Sequence, residues 1–435
     1  MELKIIYKEI YKCKESAKGV NMIGKNPRRQ VAYLSIIGTT QLHLRNPYVI
    51  AWWSAAFPGM GHLLLSKYIR GFFLFIFEVT VNLQAHINTA ILYSFTGRFE
   101  LAKNVLDKRW LILYCSLYIF SVWDSYRSTV DINNNYILAA KEDSQISSFK
   151  LGSMEFNYLD KRSPLVSAIW SLLMPGTGQL FINRIVMAAF IVIWWIVIAY
   201  LSNILPAIHY TFTGNFGYVK PAIDAHWALN ISSLYMFAMY DAYTNTVENN
   251  KLFDREQAKF LQREYQSKSF NIPSKKKSLR GDIMHIIATF EHSIYLEKAI
   301  SEIEMQGVPK EDILAVPMDK RDEKRKVFDS IHQSDGLSLV DLAAILGTIF
   351  MLLGTIYGFL LKWGPIIWGI IGLVAGFITG LVIKLIITRK SSNRQENEKA
   401  TEVVLIIKCE EDKSNMVKNV FWNNHALGIS NTLFE

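Results

Sequence analysis

The chain has 435 residues, a formal net charge of +9 and an apolar content of 51%, with 11 Trp residues. Several runs of about 20 nearly uncharged residues are long enough to cross a bilayer core, so the composition predicts an integral membrane protein and excludes an ordinary soluble one. The basic residues flank these runs, where membrane insertion requires them, and they do not indicate nucleic-acid binding. Three widely spaced cysteines suggest neither a disulfide framework nor a zinc site: Cys13, Cys115 and Cys409.

Residues 1–46 form a basic N-terminal segment that we place in the cytosol. Its lysines interrupt any apolar core and no small-residue cleavage site follows, so the segment is not a secretory signal. Apolar residues recur at helical spacing among these lysines. This pattern is typical either of an amphipathic helix on anionic lipid or of an ordinary helix on a soluble face.

The next part of the chain is a tandem repeat. Residues 47–133 (copy 1) align without a gap with residues 164–250 (copy 2), a shift of 117, and 31 of the 87 aligned positions are identical. Each copy has a short apolar piece that ends at a Pro-Gly-x-Gly turn, then a long apolar helix and a third apolar helix. We predict these pieces at residues 47–57, 71–93, 110–123, 164–174, 185–202 and 227–240. Residues 134–163 form the predicted linker between the copies.

The Pro-Gly-x-Gly turns are the first candidate site. Proline lacks an amide donor and glycine tolerates positive φ, so the turn cannot continue a regular helix. Inside lipid such a break survives only where protein or water binds the freed backbone groups. The candidate positions are Pro58, Gly59, Gly61, His62, Pro175, Gly176, Gly178 and Gln179.

The turns leave two topologies open. If the short pieces cross the membrane, each copy crosses three times and the copies are inverted. If they are re-entrant or interfacial hairpins, each copy crosses twice and the copies are parallel. The Lys and Arg residues divide 26 inside to 5 outside with two crossings, and 23 to 8 with three. This division and the loop shared by both copies, Tyr-x-Phe-Thr-Gly-x-Phe, favour parallel copies with cytosolic termini.

A charged linker, 251–281, separates copy 2 from the C-terminal part. Apolar periodicity there predicts a strand, a helix and a strand, two membrane helices, and then a strand and a helix. In chain order these lie at 283–290, 292–306, 313–316, 339–361, 366–388, 401–409 and 412–425. The halves 282–330 and 400–435 can form one small α+β domain, because the transmembrane hairpin between them (337–390) returns the chain to the same side.

Two stretches resemble known bacterial families. Pro-Gly-Thr-Gly-Gln-Leu-Phe at 175–181, followed by Ile-Asn-Arg and a long apolar helix, resembles the two-helix membrane domain with a Pro-Gly-x-Gly-Gln-x-Tyr turn. Copy 1 departs from that motif at His62, and both copies lack its tyrosine, with Leu64 and Phe181 in its place. This resemblance implies a membrane fold and no common biochemical role.

The second resemblance covers residues 282–430, which are similar to the general-stress-protein-17M-like domain of Gram-positive bacteria. It rests on Ala-Thr-Phe-Glu at 288–291 before a helix, on Gln-Gly-Val-Pro-Lys-Glu-Asp-Ile at 306–313, and on a glycine-rich hairpin before the final strand. It implies a bacterial membrane protein of the stress response or sporulation, without a known reaction.

A polar stripe is predicted on the long helix of copy 1, where Glu78, Asn82 and His86 stand at i, i+4 and i+8. A carboxylate at membrane depth costs about 2.5–3.5 kcal/mol, so it normally faces protein or water. A proton or cation path and a neutral interhelical stripe are both open interpretations. The equivalent residues of copy 2 are Trp195, Ala199 and Asn203. Because they differ from those of copy 1, the stripe is not a feature that the two copies share.

Another polar pattern recurs in both copies. Asp124 and Asp241 each follow an aromatic residue and precede a tyrosine by two positions, Tyr126 and Tyr243. The two interpretations are hydrogen bonding at the membrane interface and one polar pocket built by both copies.

The two C-terminal membrane helices carry glycines at every fourth position: Gly354, Gly358, Gly372, Gly376 and Gly380. Such faces allow close helix approach, either within the hairpin or in an oligomer.

Together these features predict a mainly α-helical integral membrane protein with about six crossings, two re-entrant or interfacial hairpins and a small split α+β domain in the cytosol. No phosphate-binding glycine loop, paired-histidine metal motif or Gly-x-Ser-x-Gly elbow occurs, so we predict no enzyme activity and no catalytic, cofactor or metal residue. We expect a scaffold, sensor or assembly factor of the bacterial cytoplasmic membrane. The alternative is a transporter or channel built from two parallel repeats with broken helices. The expected partners are the lipid bilayer and a second copy or another protein, bound through the hairpin or the cytosolic domain, and no nucleic acid.

Overall fold

The computed structural model describes residues 27–266, 270, 283–318, 340–389 and 403–432, and these residues are mainly helical. Predictions for residues 1–26 and for parts of the charged stretches after 266, 318 and 389 lie outside the described residues. The chain divides into two compact units. One contains the described residues up to Ala90 and Lys103–Asn157, and the other contains Ile91–Ala102 and the described residues from Tyr158 onwards.

Copy 1 begins with a β-hairpin, in which β1 (Ala32–Ser35) pairs antiparallel with β2 (Gly38–Gln41). Asn46 then starts the first helix, because its Oδ1 accepts a hydrogen bond from the Tyr48 amide at 3.0 Å and the next residue, a proline, needs no donor in the first turn. The helices are α1 (Pro47–Ala56), α2 (Met60–Leu64), α3 (Tyr68–Ala85), α4 (Ile87–Phe95), α5 (Phe99–Val105) and α6 (Lys108–Glu142).

Copy 2 repeats the same order of elements. They are β3 (Phe149–Leu151), β4 (Phe156–Tyr158), α7 (Pro164–Leu173), α8 (Thr177–Phe181), α9 (Ile185–Leu201), α10 (Ile204–Phe212), α11 (Phe216–Ala222) and α12 (Ala225–Glu264). The shift of 117 residues places β3 and β4 over β1 and β2. The structural repeat therefore starts near residue 32, and the predicted linker 134–163 holds the end of α6 and the second hairpin.

Three predicted helices end elsewhere than expected. The long helix 71–93 is broken at His86, whose φ is 56°, and the equivalent Asn203 has a φ of 52° between α9 and α10. The third helices are longer than the predicted 110–123 and 227–240, since α6 has 35 residues and α12 has 40. Apolar composition marks where a helix can lie in lipid, whereas the helix itself continues through polar residues that favour helix equally well. The predicted charged linker is thus helical as far as Glu264.

The C-terminal part forms one α+β domain whose two halves are separated by a hairpin of two apolar helices. Its elements are β5 (Ile283–Phe290), α13 (Ile294–Met305), β6 (Ile313–Pro317), the hairpin helices α14 (Val340–Gly358) and α15 (Gly364–Arg389), β7 (Val403–Glu410), α16 (Glu411–Asn423) and β8 (Gly428–Thr432). The sheet order is β6-β7-β5-β8 and all neighbours are antiparallel. Without the hairpin this is the βαββαβ connectivity of a ferredoxin-like fold. The short strand β8 was not predicted.

The core of this domain lies between the sheet and its two helices. Alternate residues of β7 are buried, as expected for a strand with one face on the core. They pack with the apolar face of α13 and with Phe421 of α16, whose ring meets Phe290 of β5 edge-on at 5.5 Å. The end of α12 joins the same core through Leu261 and Tyr265.

Among the described residues, two helices are long and apolar enough to cross a membrane, namely α14 and residues 364–386 of α15. The pair α9 and α10 would be a third if it counts as one span bent by 69°. The other predicted crossings do not meet this criterion.

The glycines of the hairpin pack within it. A Cβ on Gly372 would overlap the carbonyl group of Phe350, and one on Gly376 would overlap that of Leu346. Gly354 and Gly358 make equally close contacts with the start of α15. Of the two interpretations, the structure shows packing within the hairpin, and these faces are already covered.

Candidate functional site

Each copy turns sharply at its Pro-Gly-x-Gly segment. Gly59 precedes α2 with a φ of 98°, and Gly176 precedes α8 with a φ of 101°, conformations that favour glycine. A Cβ on Gly59 would lie 2.5 Å from a carbonyl oxygen of α3, and a Cβ on Gly61 would overlap Ser54 of α1. The turn therefore packs α2 closely against both neighbouring helices and buries His62 completely.

In copy 1 the buried histidine meets the repeated aspartate of α6. His62 Nε2 lies 3.0 Å from Oδ2 of Asp124, and Arg70 Nη1 donates to the same oxygen at 3.0 Å. Lys67 donates from Nζ to the hydroxyl of Ser128 at 2.7 Å. A carboxylate, an imidazole and two cations thus connect the turn and α3 to α6.

Copy 2 builds a related cluster around Asp241. Gln179 donates from Nε2 to Asp241 Oδ2 at 3.1 Å and to the carbonyl oxygen of Ala238 at 2.7 Å. Arg184 Nη1 donates to both carboxylate oxygens, at 2.6 and 2.7 Å, and Asn245 Nδ2 donates to Oδ1 at 2.9 Å. Asp241 is 0% exposed, and this buried carboxylate has a donor on each oxygen.

The cation comes from different positions in the two copies. The shift of 117 places Arg184 over Lys67 and Met187 over Arg70. The cation on Asp241 therefore comes from the residue before α9, whereas the cation on Asp124 comes from the first turn of α3. The side chain of Arg184 is 3% exposed and that of Arg70 is 59% exposed. The cluster of copy 2 is fully enclosed, and the cluster of copy 1 reaches the protein surface.

The charge state of the copy 1 cluster follows from burial and from these contacts. Both titrating groups lie outside the predicted crossing 110–123. Burial lowers the pKa of His62, and Asp124 only partly offsets this effect, so the imidazole is neutral near pH 7 and donates from Nε2. Burial by itself would raise the pKa of Asp124, but the hydrogen bond from His62 and the charge of Arg70 hold that pKa below its usual range.

A serine, a histidine and an aspartate come together in copy 1, which invites comparison with a nucleophilic triad. Among the described residues, Ser54 Oγ and His62 Nδ1 have no hydrogen-bond partner, and both residues are completely buried. The equivalent pair of copy 2, Ser171 and Gln179, is joined by a hydrogen bond of 3.3 Å. The serine of copy 1 therefore lacks the hydrogen bond to the imidazole that activates the nucleophile of a triad.

Every contact described for Asp124 or Asp241 comes from the same copy as the aspartate. The contacts form one cluster in each copy. The paired tyrosines differ: Tyr126 is partly exposed and its ring meets Tyr48 at 5.4 Å, whereas Tyr243 is buried.

A second repeated contact was not predicted as a site. The side chain of Asn133 accepts from the Arg45 amide at 3.0 Å and donates to the Arg45 carbonyl at 2.8 Å. Asn250 makes the same pair of bonds with Arg162, at 2.9 and 2.8 Å. Each asparagine thus binds the chain just before the first helix of its own copy. The identity of Asn133 and Asn250 in the repeat was the signal that could have found this contact.

A third repeated contact joins the first helix of each copy to the last. The Tyr118 hydroxyl donates to the carbonyl of Ala55 at 2.9 Å, and the Tyr235 hydroxyl donates to the equivalent carbonyl of Leu172. These tyrosines are also identical in the repeat. They bind carbonyl groups near the ends of α1 and α7, which the turn leaves without helical partners.

The predicted polar stripe is wrong in one member. His86 lies in the break after α3 and does not continue the helical face of Glu78 and Asn82. Asn88 of α4 takes its place, because Asn82 donates to Asn88 Oδ1 at 3.2 Å and accepts from the Asn88 amide at 3.2 Å. Asn82 also donates to Glu78 Oε1 at 3.1 Å.

The loop identities used to favour parallel copies have a local explanation. Gly97 and Gly214 have φ values of 76° and 73°. This backbone conformation favours glycine whichever side of the membrane the loop faces. Asp107 accepts from the Trp110 amide at 3.3 Å, and Asp224 accepts from the Trp227 amide at 3.2 Å, so both aspartates are helix N-caps. The shared loop therefore does not discriminate between the two topologies.

Among the described residues, no group of three or more His, Cys, Asp or Glu side chains is arranged to hold a metal ion. Comparison of the chain with protein-family models, curated proteins and solved structures gave no match.

Proposed function

We propose that this protein is a non-enzymatic multi-pass protein of the bacterial cytoplasmic membrane, with about six crossings. In this proposal two parallel membrane repeats hold the split α+β domain at the cytosolic surface, where it acts as a scaffold, sensor or assembly factor. The observation that carries the proposal is that the two ends of each copy bind each other.

In copy 1 the segment before the first helix contacts the end of the last helix. Arg29 forms an ion pair with Glu142 at 2.5 Å, and Asn133 binds the Arg45 backbone. A chain that leaves and returns to one side of a membrane crosses it an even number of times. This supports two crossings in copy 1, with the α1–α2 hairpin re-entrant or interfacial.

Copy 2 supports the same conclusion independently. Asn250 binds the Arg162 backbone, and Lys161 forms an ion pair with Asp254 at 2.7 Å. An even number of crossings in both copies makes the repeats parallel, in agreement with the distribution of Lys and Arg.

The same parity argument applies to the hairpin of α14 and α15. Strand β5 precedes the hairpin and β7 follows it, yet the two strands pair along eight residues, from Ile283 with Glu410 to Phe290 with Val403. Both ends of the hairpin therefore meet at one sheet. At the other end of the hairpin, Lys220 of α11 donates to the carbonyl of Leu360 at 3.0 Å. This contact supports placing the turn of the hairpin and the segment between α10 and α12 on the same, outer side of the membrane.

A single helix joins the second repeat to the α+β domain. After the cluster at Asp241, α12 continues to Glu264. Near its end, Gln257 donates to the carbonyl of Ser293 at 2.8 Å, and Tyr265 accepts from the Ala315 amide of β6 at 3.0 Å. The domain is thus held in a defined orientation on copy 2, as a scaffold or sensor requires.

The α+β domain exposes an apolar and aromatic surface on its helices. Ile294 and Tyr295 start α13, and the Tyr295 ring lies 4.7 Å from His425. Trp422 of α16, three residues before His425, is 55% exposed. Exposed aromatic side chains of this kind are enriched in protein interfaces, so this surface supports a protein partner. The resemblance to the general-stress-protein-17M-like domain supports a role in stress or sporulation.

The placement of the domain is tested with single cysteines in a chain whose native cysteines are replaced. Lys362→Cys lies in the hairpin turn, and Met305→Cys lies on the strongly exposed end of α13. A membrane-impermeant maleimide is expected to label position 362 on intact cells, and position 305 only after permeabilisation. Labelling of both positions on intact cells, or of 305 alone, would contradict the proposal.

The scaffold role is tested by crosslinking in cells followed by mass spectrometry. We expect Trp422→Ala and Tyr295→Ala to remove the crosslinked partner while membrane insertion stays normal. Met305→Ala is the matched control, because it also removes an exposed apolar side chain from α13 but lies at its opposite end. A partner retained by all three variants would refute the proposed surface.

A transporter or channel is the second candidate, favoured by the helix break after α3 and the 69° bend between α9 and α10. Broken helices at membrane depth are a recurring feature of transporters. Purified protein in liposomes distinguishes the candidates. The scaffold proposal predicts no proton, sodium or potassium flux above protein-free vesicles, and a clear flux would favour the alternative.

A further inference from the structure

The most unusual buried group of copy 1 is the carboxyl group of Glu78, which is 4% exposed. Its Oε1 accepts hydrogen bonds from Asn82 at 3.1 Å and from the Tyr114 hydroxyl of α6 at 3.4 Å. Within the part of the chain that the structure describes, its Oε2 has no hydrogen-bond partner. Asn88 completes the group through its two bonds with Asn82. One oxygen is thus fixed as an acceptor, and the other is available to carry a hydrogen.

No cation neutralises this carboxyl group. Among the described residues Glu78 forms no ion pair, and the titratable groups beside it are the hydroxyls of Tyr114 and Tyr118 on α6. An ionised carboxylate without a counter-charge is very costly to bury, whereas a carboxylic acid is not. The neutral acid, with its hydrogen on Oε2, is therefore the form that fits this site at rest.

The second copy shows that the fold does not need these polar groups. At the positions of Glu78, Asn82, Asn88 and Tyr114, copy 2 has only apolar residues: Trp195, Ala199, Leu205 and Ile231. The helix break is nevertheless kept, because His86 and Asn203 share the same left-handed backbone conformation. Four polar groups that the sister copy replaces with apolar ones are a property of copy 1 alone, which points to a role beyond folding.

The geometry points to a proton-binding site in copy 1, formed by the Glu78 carboxyl group and held by Asn82, Asn88 and Tyr114. The inference rests on the proposed membrane location of α3. When the proton leaves Oε2, the donors on Oε1 remain and stabilise the carboxylate, so both charge states have hydrogen bonds. Loading and release of this proton would change the charge between α3 and α6 by one unit.

The site is tested with the apolar reagent dicyclohexylcarbodiimide on the purified protein in liposomes. The acid adds across one C=N bond: its hydrogen moves to a carbodiimide nitrogen and its oxygen bonds to the central carbon. The acyl group then shifts to nitrogen, which leaves a stable N-acylurea and no leaving group. We expect mass spectrometry to find this adduct at Glu78, decreasing about tenfold per pH unit above the midpoint of the titration.

Three controls make the result decisive. Glu78→Gln is expected to abolish the adduct, whereas Glu100→Gln, in an exposed loop helix, is expected to leave it unchanged. Tyr114→Phe removes a donor to the carboxylate, so labelling is expected to persist to higher pH. This shift is a readout that a purely structural tyrosine would not produce.

Four outcomes would overturn the inference. They are no adduct at any pH, labelling that does not depend on pH, equal labelling by a water-soluble carbodiimide, and protection by sodium at constant pH, which would indicate a metal-cation site. Maleimide labelling of the loop at Lys103 reports separately on the proposed topology. Failure of the proton site and failure of the membrane assignment are thus distinguishable.

Discussion

Removal of the buried charge in copy 2 is expected to destabilise the protein far more than the same change in copy 1. Asp241→Asn leaves the guanidinium of Arg184 buried without its counter-charge, and breaking a buried pair in this way costs about 3–5 kcal/mol. Asp124→Asn leaves Arg70 free to turn towards the surface, so the loss is about 1–2 kcal/mol, from a weak exposed pair and one hydrogen bond from His62.

The assay is equilibrium unfolding in detergent, followed by the fluorescence of the 11 Trp residues, with the two variants compared under identical conditions. The double variant Arg184→Met/Asp241→Asn removes both charges of the pair. We expect it to lose less stability than the single variants Arg184→Met and Asp241→Asn lose in sum, by about 0.5–3 kcal/mol. Equal losses for Asp124→Asn and Asp241→Asn, or additive losses in the double variant, would refute the electrostatic reasoning.

Three further predictions use matched residues of the two copies or of the hairpin. The folded-state pKa of His62 is lowered, so the unfolded state binds the proton first and stability falls as the pH drops below about 6.5. His62→Gln, the residue of copy 2, should reduce the stability lost in unfolding measurements between about pH 7.5 and about pH 5.5, and parallel pH curves for the two proteins would contradict this. Gly376→Ala should lower the free energy of unfolding by about 1–3 kcal/mol, because its Cβ would overlap the carbonyl group of Leu346. Gly217→Ala, with open space around the Cβ in α11, should be neutral or stabilising by up to about 1 kcal/mol, and equal effects of the two glycine substitutions would count against the packing argument. Asn250→Ala and Asn133→Ala should each cost about 1–3 kcal/mol in the same assay, since each removes two bonds to a backbone, and no change in either variant would exclude a structural role for that contact.

The duplication was readable from the sequence because identity at a fixed shift needs no knowledge of the fold. It identified the glycines of the turn and the aspartates that the structure places in repeated contacts, and the identity of Asn133 and Asn250 held the same signal for the asparagine contact. The strands of the α+β domain were also predictable, since period-two burial is a strong local signal. Strand β5, for example, spans residues 283–290 as expected.

Other features depend on tertiary contacts and left little local signal. The hairpins of β1–β2 and β3–β4 have short strands with little sequence identity between the copies, so the repeat seemed to start at residue 47. The helix breaks at His86 because this residue has a left-handed backbone conformation. A residue other than glycine rarely adopts that conformation, so the sequence gives no signal for the break. The sequence did not show that Asp241 pairs with Arg184 whereas Asp124 pairs with Arg70. These arginines stand at different positions of the repeat, and the partner of a charge depends on which side chain lies nearby in the folded protein.

The topology of copy 1 tests the central claim most directly. Single cysteines replace Lys67, which immediately precedes α3, and Lys103 of the short helix α5, which connects α4 to α6. If each copy crosses the membrane twice, an impermeant maleimide applied to intact cells labels position 103, and position 67 reacts only after permeabilisation. Labelling of position 67 from outside, with position 103 protected, would show inverted copies and contradict the account.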